Sequence, residues 1–336
     1  MTTLTWLHLS DCHACNPATG YDSTQVTNSL LEDLKKLEAQ YGIVPDLLFF
    51  TGDAAFGEIP TSSLIDQYGE VAVFFDSIRS AFGKEIPKEH VFVVPGNHDV
   101  NRREVSTDQT EWLDRQRDTN TVTSIIRDND RQWQRYMERL SDYREFLFTH
   151  GYKHLLEDPE RLIYGQILQM GDVKIGIAGM NSAWSCCRDG EKSKIWMAGE
   201  WQINTLFQKI ANTDISIGLI HHPSNWFVES EDPFVGRLME KNFNFLLHGH
   251  EHTEWLNEKA NGFLSISAAA CYEHSKKGNG YNVVRLNTST GQCTIWFRRF
   301  DSTGCGWVSR PIANIAEDGI YQRQFEHLVF HPMDST

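Results

Sequence analysis

The chain has 336 residues, of which 40% are hydrophobic and 23% charged, a composition typical of a globular protein large enough to bury a sizeable core. Its 45 acidic and 31 basic residues give a formal net charge of −14, and a surface of that sign repels polyanions, which disfavours non-specific binding to nucleic acid. The sequence has no long apolar run and no basic, apolar leader, so we expect a soluble protein that is not exported and has no membrane partner.

The cysteines predict a reducing compartment. There are 7 of them, an odd number without the repeating spacing that marks a disulfide scaffold, so we expect reduced thiols and a cytoplasmic location. Cys12 and Cys15 form a CxxC that could be a redox pair or half of a zinc site. Because the sequence has no second CxxC to complete a thiolate zinc site, we disfavour both interpretations.

The N-terminal part alternates strands and helices. Apolar patterns predict, in chain order, a strand at 5–9, a helix at about 22–40, a strand at 47–50, a helix at roughly 68–82 and a strand at 91–94. Parallel strands joined by helices bring their carboxyl ends to one edge of a sheet, which is where open α/β sheets bind ligands. Each strand runs into a loop of chemically active side chains, namely Asp11 and His13, then Asp53, then Asn97, His98 and Asp99.

Residues 101–160 break this alternation. The segment is rich in Arg, Asp, Gln and Trp and contains one predicted helix at about 130–149. We interpret it as a helical insertion that covers the site, with a plain surface helix as the open alternative. Arg102 and Arg103 follow the Asn97 loop directly and could bind a phosphate bidentately, or could be solvated surface charges.

The second half of the chain again ends strands in histidines. The pattern predicts a hairpin of 164–170 and 173–178, a helix at 199–210, strands at 215–220 and 244–247, and antiparallel strands at 263–270, 282–286 and 293–300. Asn181 follows the hairpin. His221 and His222 follow one strand, and His250 and His252 follow the next. These side chains join those of the first half at the same predicted edge.

The ligand types favour transition metals. Mixed imidazole, carboxylate and amide donors suit Mn, Fe, Zn or Ni better than Ca or Mg, and among these we favour Mn. The candidate ligands are too many for one ion. They suffice for two ions that share a carboxylate, which is the arrangement used for in-line phosphoryl displacement.

The motifs also match those of a known family. Asp11-Cys12-His13, Gly52-Asp53, Gly96-Asn97-His98-Asp99, His221 and Gly249-His250-Glu251-His252 stand in the family's order. The chain resembles the calcineurin-like metallophosphoesterases over most of residues 4–300. The resemblance implies an α/β fold, a four-layer αββα sandwich of two mixed sheets flanked by helices, with a dinuclear centre at the sheet edge. We expect a domain at 1–310 that includes the insertion. From Pro311 onward the composition is irregular, and we interpret 311–336 as a C-terminal tail that lies on the surface or contacts a partner.

The resemblance further implies a role for each motif residue. Asp11, His13 and His252 would hold one metal ion, Asn97, His221 and His250 the other, and Asp53 would bridge the two. His221 is chosen over His222 because the family ligand usually sits two positions before the proline. We expect His222 beside it and, with Asn181, Arg102 and Arg103, count it among candidate substrate contacts.

The resemblance implies a mechanism as well. His98 would protonate the leaving oxygen, Asp99 would orient the other nitrogen of His98, and a metal-bridging hydroxide would attack phosphorus. The segment 52–57 lacks the Asp-Arg-Gly extension of protein serine/threonine phosphatases, and Asp99 stands where those enzymes carry glutamate. The chain is more similar to the bacterial phosphodiesterases.

We therefore favour a dinuclear phosphodiesterase acting on a nucleotide or other small phosphodiester. Two alternatives stay open: a metal-dependent nuclease on DNA or RNA, and a catalytically inactive binding scaffold of the same fold. The nuclease is supported by Arg102 and Arg103 and opposed by the net charge. The scaffold is opposed by the intact ligand set, and the sequence leaves the oligomeric state open.

Overall fold

The molecule is built on two β-sheets that face each other. The computed structural model describes residues 3–274, 276 and 278–330. Its strands are β1 Thr3–Leu9, β2 Leu47–Phe50, β3 Val91–Val93, β4 Tyr164–Met170, β5 Val173–Gly179, β6 Ile215–Leu219, β7 Phe245–His248, β8 Trp255–Glu258, β9 Leu264–Ser267, β10 Gly280–Asn287, β11 Gln292–Asp301, β12 Gly306–Ser309 and β13 Ile320–Gln324. The first sheet has the order β12-β11-β10-β1-β2-β3, with β13 also paired to β11, and the second has the order β4-β5-β6-β7-β9-β8.

Both sheets are mixed. In the first, β1, β2 and β3 are parallel, and β10 to β13 extend the sheet with antiparallel pairs. In the second, β5, β6, β7 and β9 are parallel, with β4 and β8 antiparallel at the two edges. The rings of Trp6 on β1 and Phe245 on β7 meet edge to face at 5.2 Å, so the inner faces of the two sheets share one core.

Helices cover the outer faces. They are α1 Asn16–Tyr41, α2 Leu64–Arg79, α3 Thr107–Arg115, α4 Thr119–Asp128, α5 Arg131–Glu138, α6 Ser141–Thr149, α7 Gly199–Ile210 and α8 Phe234–Asn242. α1 packs with α2 and β12 on the first sheet, and α7 packs with α8, β4 and β5 on the second. This is the predicted sandwich of two mixed sheets flanked by helices. Among the described residues, no helix is both long and apolar enough to cross a membrane.

The first helix begins earlier than its apolar pattern predicts. Gly20 has φ 55° and ψ −137°, and this kink joins a short opening segment from Asn16 to the main helix. The helix ends at Gly42, whose left-handed backbone (φ 59°) lets its N–H donate to the carbonyl of Glu38 at 2.8 Å. The loop between β1 and α1 is therefore short, which keeps its side chains at the sheet edge.

The insertion contains four helices rather than one. The single helix predicted at 130–149 is divided into α5 and α6, because Leu140 has a non-helical backbone (φ −110°, ψ 15°). The segment is also more than a surface helix, since Trp133 and Tyr136 are buried and their rings lie 5.0 and 5.4 Å from that of Trp184, in the loop after β5. Packing against that loop fixes the insertion to the body of the fold.

The C-terminal segment is more regular than its composition predicts. Residues 320–324 form β13, which pairs antiparallel with β11 between Gln292 and Trp296. Residues 331–336 of the predicted tail lie outside the described residues. β13 is mostly half-buried or exposed, and such an edge strand has weak apolar periodicity, which is why its sequence does not predict it.

Candidate metal centre

Five loops meet where the two sheets present the carboxyl ends of their parallel strands. They follow β1, β2, β3, β6 and β7 and carry the predicted ligands. The backbone N–H of Asp11 donates to the carbonyl of Gly52 at 2.9 Å, which ties the first two loops together. The backbone N–H of His250 donates to Asp11 Oδ2 at 3.2 Å, which ties the second sheet to the first. The predicted convergence of these loops is present in the fold.

Most of the candidate ligands stand on strained backbone. Asp11, His13, Asp53, His250 and His252 have φ of 54°, 47°, 55°, 70° and 51°, in the left-handed region that residues with a Cβ avoid. Each such residue costs about 1–2 kcal/mol relative to ordinary backbone. Strain concentrated at one sheet edge is typical of a functional site, because packing and hydrogen bonds must hold these loops in place.

Two motif glycines make room for the cluster. A Cβ added at Gly52, where φ is 94°, would overlap the His221 ring. A Cβ added at Gly96 would overlap the carboxylate of Asp53. The glycines of the Gly-Asp and Gly-Asn-His-Asp motifs are therefore required by close approach to the ligands themselves.

His221 faces acceptors on every side. Its Nδ1 lies 2.7 Å from the carbonyl oxygen of Thr51, which can only accept, so Nδ1 carries the proton. Its Nε2 lies 3.2 Å from Asp53 Oδ2, 3.1 Å from Asn97 Oδ1 and 3.1 Å from His250 Nδ1. A proton or a metal ion must lie between these atoms, and the mixed oxygen and nitrogen donors that meet here fit a metal ion.

His13 and His252 repeat this arrangement. The Nδ1 of His252 donates to Glu273 Oε2 at 3.0 Å, and the Nδ1 of His13 to the carbonyl of Tyr272 at 3.2 Å. The Nε2 of His252 then faces Asp11 Oδ1 at 3.1 Å. Metal-binding histidines commonly donate their second nitrogen in this way, which fixes the tautomer and the ring orientation.

Asp53 lies between the two groups. Its Oδ2 is 3.2 Å from His221 Nε2 and 3.7 Å from His13 Nε2, and the latter nitrogen is buried without a hydrogen-bond partner. Its Oδ1 accepts the backbone N–H of His98 at 2.7 Å. Ligand atoms within 4.8 Å of one another form four overlapping triplets: His221, His222 and His250; Asp11, His13 and His252; His13, Asp53 and His98; and Asp11, Asp53 and His221. The overlap at Asp53 is compatible with a shared ligand.

The electrostatics of the cluster also favour cations. Burial alone would raise the pKa of Asp53, but His221, His98 and His13 outweigh it and hold this pKa well below its ordinary value. Burial would lower the pKa of His221, but Asp53 and Asp11 outweigh it and raise this pKa to about 9. Ions bound here would replace protons, so ion binding would release protons.

His98 lies at the rim of the cluster. Its ring is half-buried, 4.8 Å from the ring of His13. Its Nδ1 lies 2.6 Å from the carbonyl oxygen of Phe56 and therefore donates to it. This leaves Nε2 as the nitrogen that can exchange a proton with a substrate.

The prediction for Asp99 needs correction. Its buried carboxylate accepts the backbone N–H of Asp53 at 3.0 Å and of Gly96 at 2.8 Å, and the Tyr68 hydroxyl at 3.1 Å. Burial raises the pKa of Asp99 to about 6. Since a backbone carbonyl orients His98, Asp99 instead fixes the two loops that carry Asp53 and His98, which makes it a structural residue of the site.

The prediction that Asn181 contacts the substrate is also wrong. Its side chain is fully buried, and Nδ2 donates to the carbonyl of Arg161 at 3.0 Å. Its Oδ1 accepts the backbone N–H groups of Ala183 and Trp184 at 3.0 and 3.1 Å. Asn181 therefore shapes the loop after β5 and is not accessible to a substrate.

His222 is also too buried to contact a substrate. It is 1% exposed, its Nδ1 lies 2.8 Å from Ser182 Oγ, and its ring lies 4.4 Å from that of His250. Burial, together with His250 and His221, holds the pKa of His222 well below its ordinary value. Its neutral ring packs behind the two candidate ligands.

The two arginines differ in their surroundings. Arg102 is partly buried, and its Nε is buried without a hydrogen-bond partner. Its positive charge contributes to the lowered pKa of His222. Among the described residues it forms one ion pair, a 3.5 Å contact with Asp189, whose side chain is 95% exposed. Arg103 instead pairs with Glu58 at 3.0 Å. Arg102 is thus available near the cluster, whereas Arg103 is already engaged.

Two contacts were missing from the sequence prediction. Glu273 orients His252 from a loop 21 residues further along the chain, and the carbonyl of Phe56 orients His98 across 42 residues. A backbone carbonyl leaves no signal in residue identity. A single glutamate in a loop sequence gives a signal that is too weak to use.

The family comparison agrees with this geometry. The model of the calcineurin-like phosphoesterase family matches residues 4–254, and the chain belongs to this family. The family uses divalent metals, and the chain has candidate His/Asp sites for them. A comparison with curated proteins finds no match.

Solved structures share the fold. A dimetal phosphatase from Danio rerio aligns with a TM-score of 0.51 at 9% identity, over 92% of this chain and 99% of that one. A 5'-nucleotidase from Candida albicans aligns with a TM-score of 0.50 at 11% identity, over 90% of this chain and 53% of that one. The predicted fold class is confirmed.

Proposed function

We propose that the protein is a dinuclear, metal-dependent phosphodiesterase that hydrolyses a nucleotide or another small phosphodiester. The observation that carries the proposal is the convergence of imidazole, carboxylate and amide groups around Asp53. In this cluster the acceptor atoms of neighbouring side chains face one another. Family membership supports the reaction class, a phosphoric ester hydrolase.

The proposed ligand sets follow the two groups of contacts. Asp11, His13 and His252 would hold one ion, Asn97, His221 and His250 the other, and Asp53 would be shared. Bound divalent ions supply Lewis acidity, since they lower the pKa of water and offset phosphate charge. Mn fits the mixed donors best, and Fe, Zn or Ni fit as well.

The chain's own residues supply the rest of the chemistry. His98 would donate the proton from Nε2 to the leaving oxygen, with its ring held by the Phe56 carbonyl. Arg102, whose side chain is 28% exposed, would donate from its guanidinium to a non-bridging phosphate oxygen. Breaking its weak contact with Asp189 costs little, because exposed ion pairs contribute about 0–1 kcal/mol.

Two features favour a diester over a monoester. The segment 52–57 lacks the Asp-Arg-Gly extension of the protein phosphatases, so it brings no arginine to the phosphate. A diester carries one negative charge where a monoester carries up to two, so it needs less cationic compensation. The Candida albicans protein is described as a 5'-nucleotidase, and monoester hydrolysis is therefore one outcome that the test distinguishes.

A cytoplasmic location belongs to the same proposal. The 7 cysteines all carry free thiols, and 5 of them are buried. Free thiols suit a reducing compartment.

Turnover assays on manganese-loaded protein test the proposal. The substrates are bis-p-nitrophenyl phosphate, cyclic nucleotides, a dinucleotide, p-nitrophenyl phosphate and single-stranded oligonucleotides. We expect the highest kcat/KM for a small diester. A preference for the monoester would indicate a phosphatase, and a preference for oligonucleotides a nuclease. No turnover by protein that holds two metal equivalents would indicate an inactive scaffold.

His98→Ala tests the proton donor separately. We expect this variant to keep its metal content and to lose about 10²-fold or more in kcat, as for other general acids. Unchanged kcat would remove the acid role from His98.

A further inference from the structure

An exposed aromatic ring stands beside the proposed proton donor. Phe56 is 36% exposed, although it follows the buried pair Ala54 and Ala55. Its ring centroid lies 6.3 Å from that of His98, with the two planes tilted by 52°. An apolar ring at the rim of a polar cluster has a face available for a ligand.

The backbone of Phe56 is held rigidly. Buried Gln67 accepts the N–H groups of Phe56 and Gly57 on Oε1 at 3.0 and 3.1 Å, and returns an Nε2 hydrogen bond to the Gly57 carbonyl at 2.8 Å. Gly57 has φ 111°, a conformation that favours glycine. The exposed ring therefore belongs to a fixed turn, and a fixed surface loses little entropy on binding.

The same residue orients His98. The carbonyl of Phe56 accepts the Nδ1–H of His98 at 2.6 Å, so ring and proton donor are positioned by one turn. The leaving oxygen must come to Nε2 of His98. With the two ring centroids 6.3 Å apart, a flat group attached to that oxygen is large enough to reach the Phe56 ring.

We propose that Phe56 stacks on the base of a nucleoside leaving group, so that the substrate is a nucleoside phosphodiester. The proposal rests on the proposed phosphodiesterase function and adds the identity of the leaving group. In the reaction, water adds its hydroxyl to phosphorus and its proton passes to solvent. The bond from phosphorus to the nucleoside oxygen breaks with its electron pair on that oxygen, which takes the proton of His98.

The surroundings of the turn favour a base over a purely apolar group. Glu58 follows Gly57 directly and accepts from Arg103 at 3.0 Å and from the backbone N–H of Leu64 at 2.8 Å, so paired acceptor and donor groups follow the ring in the chain. The edge of a nucleobase carries both kinds of group, and its face stacks on an aromatic side chain regardless of sequence. A glycerol group has no flat face to stack on the ring.

A pair of diesters and a set of variants test this proposal. The substrates are the dinucleoside monophosphate ApA and glycerophosphoglycerol, which differ in whether the leaving group carries a base. We expect Phe56→Leu to lower kcat/KM for ApA about tenfold and to change it less than twofold for glycerophosphoglycerol, in line with the stacking of one base. Phe56→Trp should retain the value for ApA. Phe148→Leu, which removes a 52% exposed ring on α6, is the control and should change neither.

Binding of the products gives a readout that does not need turnover. We expect Phe56→Leu to raise the Kd of adenosine, the product that carries the leaving oxygen, about tenfold and to leave that of glycerol 3-phosphate unchanged. If wild-type protein hydrolyses neither diester, the proposed function fails, while the adenosine measurement still decides the role of the ring. Equal losses for both diesters, or an unchanged Kd for adenosine, would overturn the stacking role.

Discussion

Two buried clusters of charged groups occupy different parts of this fold. In one the carboxylate has a full set of hydrogen-bond donors, and in the other the acceptors outnumber the donors. Beneath α1, the carboxylate of Asp33 accepts two guanidinium hydrogen bonds from Arg298 at 2.8 and 2.5 Å and one from the Tyr281 hydroxyl at 2.5 Å. At the sheet edge, Asp53 and His221 instead point acceptor atoms at one another and at their neighbours. Both carboxylates are 1% exposed.

The comparison separates stability from function. A buried carboxylate with a complete set of donors joins two elements, here α1 and the first sheet. A buried cluster with more acceptors than donors is stabilised by cations, either protons on its imidazoles or metal ions that replace them. The four predictions below test that distinction, beginning with the largest effect.

Asp53→Asn should remove function and spare the fold. Losing the shared carboxylate weakens both proposed sites, and we expect kcat/KM for a small diester to fall about 10³-fold, about 4 kcal/mol of transition-state stabilisation. Metal analysis of the same sample should show both ions reduced. The protein should still fold, although the melting temperature of metal-free protein should fall, because the neighbouring histidines stabilise the charged form of Asp53. A fall in melting temperature with normal metal content would mean that Asp53, like Asp33, serves stability and not metal binding.

Asp33→Asn should give the opposite result. It leaves the Arg298 guanidinium without its partner at the α1 interface, and we expect the free energy of unfolding to fall by about 3 kcal/mol. Denaturant titration measures this loss. Metal content and kcat of the folded fraction should match wild type, and a loss of metal would show that the two clusters are coupled.

Glu231 provides a third kind of buried carboxylate. It accepts the N–H groups of Met197 and Gly199 at 2.7 and 3.2 Å, and burial raises its pKa to about 7. The folded state therefore holds a proton that the unfolded state releases near pH 4.5, so this residue makes stability fall as pH rises from about 4.5 to 7, by about 3 kcal/mol. Glu231→Gln should remove this decline in unfolding titrations across that range. An unchanged slope would contradict the raised pKa.

Arg102→Ala should have the smallest effect. The guanidinium has no strong partner in the fold, so its loss should leave the melting temperature unchanged and lower kcat/KM about tenfold, the value of one charged hydrogen bond to phosphate. Arg103→Ala is the matched control, because Arg103 already pairs with Glu58. Equal effects of the two variants would mean that they act through general surface charge.

Local sequence was enough to predict the edge at which the candidate ligands meet. β1, β2 and β3 are short apolar runs that stop at glycine or polar residues, and parallel strands bring such stops together. The same reasoning recovered α7 at its observed bounds, because its apolar stripe is regular. The αββα sandwich was predicted from the resemblance of the motifs to those of the family.

The errors share a physical cause. Asp99 and Asn181 are polar residues in loops near the site, and their type is the same whether they meet substrate or backbone. Burial decides between the two, and burial depends on the whole fold. The break between α5 and α6 and the pairing of β13 with β11 likewise depend on packing that no short window of sequence contains.

Metal stoichiometry tests the central claim most directly. Wild-type protein dialysed against Mn²⁺ and analysed by mass spectrometry should hold two equivalents per chain, as should Asp33→Asn, whereas Asp53→Asn should hold fewer than one. Wild-type protein that binds no divalent transition metal, or that binds as much as Asp53→Asn, would contradict the account.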